Sequence, residues 1–184
     1  MIKLLGVARN TPEGIEVRVH PMLIPERHPL ASVNDSFNAV FVHGDAVDDA
    51  MFYGRGAGEL PTASAVVGDI FDIARNLQYE CCGRISCTCY KQLPIKAMDD
   101  ICSKYFLRML VENEPGVLAA VTAVFGDRKV SIEQIIQKKK IGELAEIVVI
   151  TEKVKERHVK DSLKAFEEMT AVKKVSSVIR VYGE

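Results

Sequence analysis

The stretch Glu112-Asn113-Glu114-Pro115-Gly116-Val117-Leu118 decides how the second half of this chain folds. An apolar, β-rich run over residues 105–112 precedes it and predicts a strand. Pro115 and Gly116 favour a tight turn, because proline presets φ and glycine tolerates positive φ. Apolar side chains then recur at helical spacing. They are Val117, Leu118, Val121, Val124 and Phe125.

The pattern continues outward from this strand, turn and helix. Strands are predicted over 130–138 and 146–151, joined by a turn over 140–142. A second helix face follows at Val159, Leu163, Phe166 and Met169, and a last strand at 172–182. The order β-α-β-β-α-β is that of the ferredoxin-like unit, with two helices on one face of an antiparallel sheet. Residues 104–184 therefore form a predicted complete small domain.

Residues 1–78 and 79–103 form two further predicted parts. A hairpin is predicted from strands at 2–8 and 15–20, then strands at 37–43 and 50–53, and a helix over 63–77 with Pro61 in its first turn. The three prolines within 21–29 predict a break in sheet pairing. Residues 79–103 form a cysteine-bearing linker. The predicted class is α+β: a partial mixed sheet with one helix, followed by the ferredoxin-like domain.

Composition excludes several classes of protein. The chain has 184 residues, 48% of them hydrophobic, and a formal net charge of -1. It therefore lacks the basic footprint of a nucleic-acid binder. No apolar run is long enough to cross a membrane, so no membrane partner is predicted. Five cysteines and no signal-peptide pattern predict a cytoplasmic protein.

The titratable residues predict neither a metal site nor a catalytic set. Cysteines 81, 82, 87, 89 and 102 include no C-x-x-C pair, and no histidine lies near them. Structural zinc sites use such pairs, so buried or linker thiols are the expectation. The carboxylates of Asp48 and Asp49 are predicted to be solvated in a turn. No serine, histidine and aspartate set is present, and no catalytic residue is assigned.

Two turns could bind a ligand. The glycines Gly54, Gly56 and Gly58 lie between a strand and a helix, where backbone N–H groups can face an anion. Glu59 occupies the sixth position, which a dinucleotide fingerprint reserves for glycine, so this is a ligand loop of another kind or a flexible connection. Gly116 opens a helix whose free N–H groups suit the carboxylate of an amino acid. The alternative is that Pro115 and Gly116 only make a good turn.

The stretch 112–118, within its β-α-β-β-α-β unit, resembles the ACT domain, and residues 130–137 are also typical of it. The resemblance implies a small-molecule regulatory domain, most often an amino-acid sensor. Its ligand would lie near the first strand-to-helix turn, at an interface between two such domains. The effector-binding residues so implied are Asn113, Glu114, Pro115, Gly116, Val117 and Leu118, with Ile132 and Gln134 on the neighbouring strand.

Residues 1–78 and the linker resemble homoserine dehydrogenase. The resemblance is carried by residues 2–6, 17–21, 28–31, 38–42, 87–96 and the long run 51–63, Met-Phe-Tyr-Gly-Arg-Gly-Ala-Gly-Glu-Leu-Pro-Thr-Ala. That family reduces aspartate semialdehyde to homoserine with NAD(P)H. Matching the family residue by residue implies that Gly58 lies against the nicotinamide cofactor. Weaker cofactor candidates are Gly54, Gly56, Ala57 and Thr62.

The same resemblance implies what the chain lacks. The family's nucleotide-binding glycine motif and acid/base lysine lie upstream of the segment matching Ile2. We therefore expect the isolated chain to bind no cofactor and to be inactive, with threonine as the feedback effector. A homodimer or higher oligomer is expected, with the missing cofactor-binding segment or a separate subunit as a further partner. The alternative is a stand-alone amino-acid-binding regulatory protein or a subunit of a split enzyme.

Overall fold

The computed structural model describes residues 1–81 and 91–183, without the side chains of 139–141. Within them the strands are β1 (Ile2–Thr11), β2 (Gly14–Leu23), β3 (Phe37–Gly44), β4 (Asp48–Arg55), β5 (Cys102–Glu112), β6 (Ile132–Ile141), β7 (Leu144–Thr151), β8 (Val154–Lys155) and β9 (Val172–Val181). The helices are α1 (Glu59–Gln78), α2 (Val117–Asp127) and α3 (Glu156–Glu168).

The chain divides into two compact units. The first contains residues 1–24 and 93–184, and the second contains residues 25–92. The boundaries predicted at 78 and 103 stay a prediction, but the structure groups the N-terminal hairpin with the ferredoxin-like domain. The cause is strand pairing, because β2 lies parallel to β9 at Met22↔Arg180 and Leu23↔Val181.

The main sheet has the order β1-β2-β9-β5-β7-β6. Strands β9, β5, β7 and β6 form the four-stranded sheet of the predicted β-α-β-β-α-β unit, and the α+β class is confirmed. The hairpin β1–β2 extends this sheet beyond β9. Sequence periodicity did not predict that extension.

The core of the first unit lies between the sheet and helices α2 and α3. Alternate side chains of β5 point inward, as period 2 requires, and the apolar stripes of both helices meet them. The rings of Phe125 and Phe166 pack edge to face with centroids 5.0 Å apart. The fully buried members of this core include Tyr105, Leu107, Met109, Val111, Val121, Phe125, Ile147, Val149 and Phe166.

The prediction that prolines interrupt pairing from residue 21 onward is wrong for the first three positions, because β2 continues through Pro21 to Leu23. Met1 and Ile24 exchange both of their backbone hydrogen bonds. Counting back from that pair in the antiparallel register puts Pro21 and Leu4 at a non-hydrogen-bonded position. The missing N–H of Pro21 therefore removes no bond between β1 and β2.

The second unit contains the β3–β4 ribbon and helix α1. Helix α1 has no buried residue. Its exposed apolar side chains are Leu60, Val66, Val67, Ile70, Phe71, Ile73 and Leu77. One face of the ribbon is also exposed and apolar, at Val40, Val42 and Phe52. Among the described residues, no helix is long and apolar enough to cross a membrane.

Gly14 provides a test of how the hairpin turn meets the segment after residue 92. Its φ of +134° favours glycine, and an added Cβ would lie 2.4 Å from the Pro94 carbonyl oxygen. Gly14→Ala is therefore expected to lower the free energy of unfolding by about 2–3 kcal/mol. Gly68→Ala is the matched control, since its Cβ enters open space in α1; it should gain about 0.5–1 kcal/mol. Urea denaturation measures both, and a Gly14→Ala protein as stable as wild type would contradict this contact.

Candidate functional site

The turn between β5 and α2 has the geometry expected of a small-anion site. Gly116 is the N-cap of α2 and adopts the left-handed conformation, with φ of 90°. Val117 N–H donates to the Glu114 carbonyl at 3.3 Å, which closes the turn. The N–H groups of a first helical turn have no partner within their helix and carry the positive end of its dipole. A carboxylate at this turn would be stabilised.

A small pocket lies beside this turn. The Gln137 side-chain N–H donates to the Asn113 side-chain oxygen at 3.0 Å across it. Its lining residues are Val111, Glu112, Asn113, Glu114, Val117, Leu118, Gln137, Ala145 and Ile147. Four of the predicted effector residues therefore line the pocket, and Pro115 and Gly116 shape its turn.

Two predicted effector residues, Ile132 and Gln134, are not among those lining the pocket. Gln137, which the sequence reasoning missed, is one of them. Gln137 pairs with Ile147 of the pocket wall, whereas Gln134 pairs with Ile150. Residues three apart on a strand point to opposite faces, so the choice between the two glutamines depends on register. The sequence shows only that Gln134 and Gln137 are three residues apart. The pairing of β6 with β7 is needed to show which of the two faces the pocket.

The pocket is shallow within one chain. Its free volume is about 30 Å³, enough for about one water molecule and too small for an amino acid. A ligand would need either an opening of the turn or a wall supplied from outside this chain.

The glycine loop forms a second, wider groove, of about 800 Å³. It lies at the start of α1 and is open to solvent. Its lining residues are Gly56, Ala57, Gly58, Glu59, Thr62, Ala63, Val66 and Val67. Four of the five predicted cofactor residues line this groove, and Gly54 does not.

Gly58 fixes the shape of that loop. It is the N-cap of α1 with φ of 128°, and its carbonyl accepts from Thr62 N–H at 3.1 Å. Glu59 places a carboxylate in the first turn, which stabilises the helix but repels a phosphate. The groove is therefore better suited to an uncharged or cationic ring than to a pyrophosphate.

The metal-ligating residues give no compact buried site in the described part of the chain. Cys82, Cys87 and Cys89 lie outside the described residues, and Cys81 and Cys102 are exposed. The candidate ligand atoms of His43, Asp48 and Asp49 lie within 4.8 Å of one another. All three side chains are exposed, and His43 Nδ1 lies 2.8 Å from an Asp49 oxygen. An exposed hydrogen bond between His43 and Asp49 accounts for this cluster.

A buried polar cluster joins α3 to β9. The Tyr105 hydroxyl and the Arg180 guanidinium both donate to one carboxylate oxygen of Glu156, the arginine Nη2 at 2.5 Å. Burial, reinforced by the Glu156 carboxylate, raises the pKa of Tyr105. Tyr105 therefore stays protonated and keeps donating at every physiological pH.

A polar row runs along the buried face of β2. Lys96 Nζ contacts Glu16 at 3.1 Å, Arg18 contacts Glu16 at 2.9 Å, and Arg18 Nε donates to His20 Nε2 at 3.1 Å. Burial alone would raise the pKa of Glu16, but its bonds to Lys96 and Arg18 outweigh burial and lower it. Burial lowers the pKa of His20, and the charges of Arg180 and Arg18 add to that effect. The hydrogen bond to the Pro21 carbonyl and the charge of Glu156 oppose it.

Acidification is expected to destabilise this row. The folded-state pKa of His20 lies below its ordinary value, so its contribution is complete above pH 6.5 and is lost as the pH falls. We expect the melting temperature to drop by a few degrees between about pH 7.5 and about pH 5.5. His20→Gln, which does not titrate, should flatten that slope in a thermal melt, and His158→Gln serves as the control. An unchanged slope in His20→Gln would refute the assignment to His20.

Comparison with known proteins matches both parts of the chain. The homoserine dehydrogenase family model matches residues 1–71, and the ACT domain model matches residues 105–170. The homoserine dehydrogenase of Neisseria gonorrhoeae is 45% identical over 186 residues, covering 98% of this chain and 43% of that protein. The enzyme of Bacillus subtilis is 40% identical, with 99% and 42% covered. The chain therefore spans less than half the length of these curated relatives.

The crystal structure of a homoserine dehydrogenase from Thiobacillus denitrificans matches with a TM-score of 0.87 and 39% identity, covering 98% of this chain and 42% of that one. Fold and sequence define an ACT-domain protein whose first part is dehydrogenase sequence. The chain is therefore similar along almost its whole length to the C-terminal part of homoserine dehydrogenases.

Proposed function

We propose that this chain forms the C-terminal catalytic and regulatory part of an enzyme that reduces aspartate semialdehyde to homoserine with NAD(P)H. The observation that carries the proposal is the glycine loop, residues 54–58, within a matched segment that runs from residue 1 to 71. The exposed apolar face of α1 adds support, because surfaces of this kind mark an interaction site. The rest of the enzyme is the partner we assign to it.

Gly58 would contact the cofactor, with Gly56, Ala57 and Thr62 beside it in the groove. A nicotinamide ring suits this groove better than a phosphate, because Glu59 lies in the first helical turn. NAD(P)H would supply the hydride when bound. Gly54, which lies outside the groove lining, is the weakest of the assigned residues. We assign no catalytic residue to this chain and expect it to be inactive alone.

The test of the enzymatic part is an assay of NADPH-dependent reduction of aspartate semialdehyde. It compares this chain alone with a chimera in which the N-terminal part of the Neisseria gonorrhoeae enzyme precedes it. Activity of the chimera supports the proposal. A stand-alone regulatory protein would give a folded but inactive chimera.

The second half of the proposal is that the ACT domain binds an amino acid, threonine. Its carboxylate would lie against the N–H groups that follow Gly116. The side-chain amides of Asn113 and Gln137 offer hydrogen bonds to a hydroxyl, and Val117 and Ile147 offer apolar contact to a methyl group. Because the pocket is too small within one chain, a second copy would complete it in a homodimer.

Gln137 gives this assignment a sharp test. Gln137→Ala is expected to weaken binding of L-threonine about tenfold, because it removes a side chain from the pocket wall. Gln134→Ala is the matched control, since the same change is made on the same strand at a residue outside the lining. Isothermal titration calorimetry measures both, with light scattering for the oligomeric state. Absence of L-threonine binding by the folded wild-type chain would refute the effector assignment, and equal losses in both variants would refute the role of Gln137.

A further inference from the structure

Strand β9 runs from the effector pocket to the N-terminal hairpin. Its first residue, Val172, pairs with Val111 of the pocket wall. Its last residues, Arg180 and Val181, pair with Met22 and Leu23 of β2. One strand therefore contacts both the pocket wall and the part of the chain that matches the dehydrogenase family.

The start of β9 is bonded to Glu112, one of the residues that line the pocket. Glu112 N–H donates to the Ala171 carbonyl at 2.8 Å, and Lys173 Nζ lies 2.5 Å from a Glu112 carboxylate oxygen. A displacement of Glu112 on ligand binding would therefore move the first residues of β9, which are bonded to it.

The other end of β9 is fastened to the hairpin and to α3. Tyr182 N–H donates to the Leu23 carbonyl at 2.7 Å, and the Arg180 guanidinium bonds Glu156. Residue 25, just beyond β2, begins the second unit, which holds the glycine loop. When the chain returns to the first unit at residue 93, it is bonded to the hairpin again, because Ile15 N–H donates to the Pro94 carbonyl at 2.8 Å.

The pairing between β5 and β9 is irregular only toward the pocket. The register shifts between Arg108 and Met109 and again between Leu110 and Val111. The two shifts leave the backbones of Ser176 and Lys173 without a register partner on β5. Such bulges let a strand bend locally without breaking the whole ladder. The pocket half of β9 can therefore bend, whereas residues 177–181 pair with β5 without a shift and would move as one segment against β2.

We propose that β9 couples the effector pocket to the hairpin, so that amino-acid binding beside Asn113 changes the pairing of β9 with β2. The proposal rests on the effector assignment made above and adds the route by which occupancy reaches the dehydrogenase part. Coupling of this kind is reciprocal: a change in the β2–β9 joint must also alter the pocket.

The experiment is hydrogen–deuterium exchange of the full chain with and without saturating L-threonine. We expect amides in residues 1–24 to exchange at least about threefold more slowly with the ligand, because pairing protects them. The first variant, called the joint variant, is Arg180→Met with Glu156→Gln. It removes the ion pair between β9 and α3 at the hairpin end of β9 without leaving a lone buried charge. The control is Arg108→Met with Glu146→Gln, an ion pair of 2.9 Å between β5 and β7 on the same sheet.

The joint variant should still bind L-threonine but lose the protection of residues 1–24, and the control variant should keep it. Wild-type binding without any change in residues 1–24 would overturn the coupling while leaving the effector assignment intact. Protection that is equal in the joint and control variants would also overturn it. If L-threonine does not bind, the effector assignment fails, and the coupling is then tested by hydrogen exchange of the two variants without ligand. Faster exchange at 111–118 in the joint variant alone supports coupling, and equal exchange overturns it.

Discussion

A chimera that joins the N-terminal part of the Neisseria gonorrhoeae enzyme to this chain is expected to reduce aspartate semialdehyde, whereas the chain alone gives no detectable turnover. The expectation follows from the 45% identity over nearly the whole chain, which spans only 43% of that relative. The exposed apolar side chains of α1 would be covered in the chimera. Loss of ordered contacts around a cofactor can remove most of a reaction's rate enhancement, because positioning accounts for many orders of magnitude.

Substitutions in the glycine loop make this prediction specific. Gly58→Ala in the chimera places a side chain at φ of +128° and 3.3 Å from the Pro61 ring. We expect kcat/KM to fall at least about tenfold, equivalent to about 1.4 kcal/mol. Gly126→Ala is the control, because its Cβ meets nothing within 4 Å and it lies in α2, outside the groove lining; its kcat/KM should stay within about twofold of the parent. Turnover by the isolated chain would refute the expected inactivity, and equal effects of both substitutions would refute the role of Gly58.

Phe125→Ala is expected to lower the free energy of unfolding of the ACT domain by about 3–5 kcal/mol. Phe125 is fully buried, and its ring packs on Phe166. Removal of the ring leaves a cavity between α2 and α3 that a packed core fills only in part. Because domains of this size are stable by about 5–15 kcal/mol, the loss is a large part of the total.

The same substitution should weaken the proposed binding of L-threonine, measured by isothermal titration calorimetry, because the turn at Gly116 leads directly into α2. Phe52→Ala is the matched control, since its side chain is 68% exposed and its removal should change stability by less than about 0.5 kcal/mol. Urea denaturation followed by circular dichroism measures both variants. Equal, small losses would contradict the position of Phe125 in the core.

Local patterns predicted the ferredoxin-like unit well. The helical spacing of Val121 and Phe125 and the turn at Gly116 are local signals, and both elements lie where they were predicted. The pairing of Met22 with Arg180 was not predictable in this way, because partners far apart in sequence leave no mark on local periodicity. The four-stranded sheet satisfies its own pattern without this pairing, and the alternation of the hairpin gives no sign of it, since Val17 and Val19 are exposed and Glu16 is buried.

The residues of the candidate sites also fall into those that local sequence predicts and those that depend on long-range pairing. Asn113 and Leu118 follow directly from the turn, and they line the pocket. Gln137 required the register of β6 on β7, which contains two irregularities. Glu16 is 5% exposed, although the alternation of residues 15–20 gives a charged side chain the solvent face. Lys96 and Arg18 neutralise it there, and an ion pair with a residue eighty positions away has no local signature.

The shared strand β9 also has a consequence for synthesis of the protein. Within this chain the hairpin is made before β9, so β2 and β5 keep unpaired edges until residues 172–181 have left the ribosome. Unpaired strand edges recruit other chains, and non-local pairing is slow. Nascent or shortened chains that lack β9 should therefore depend on chaperones and aggregate, even though the hairpin itself needs nothing beyond residue 24 to form its own bonds.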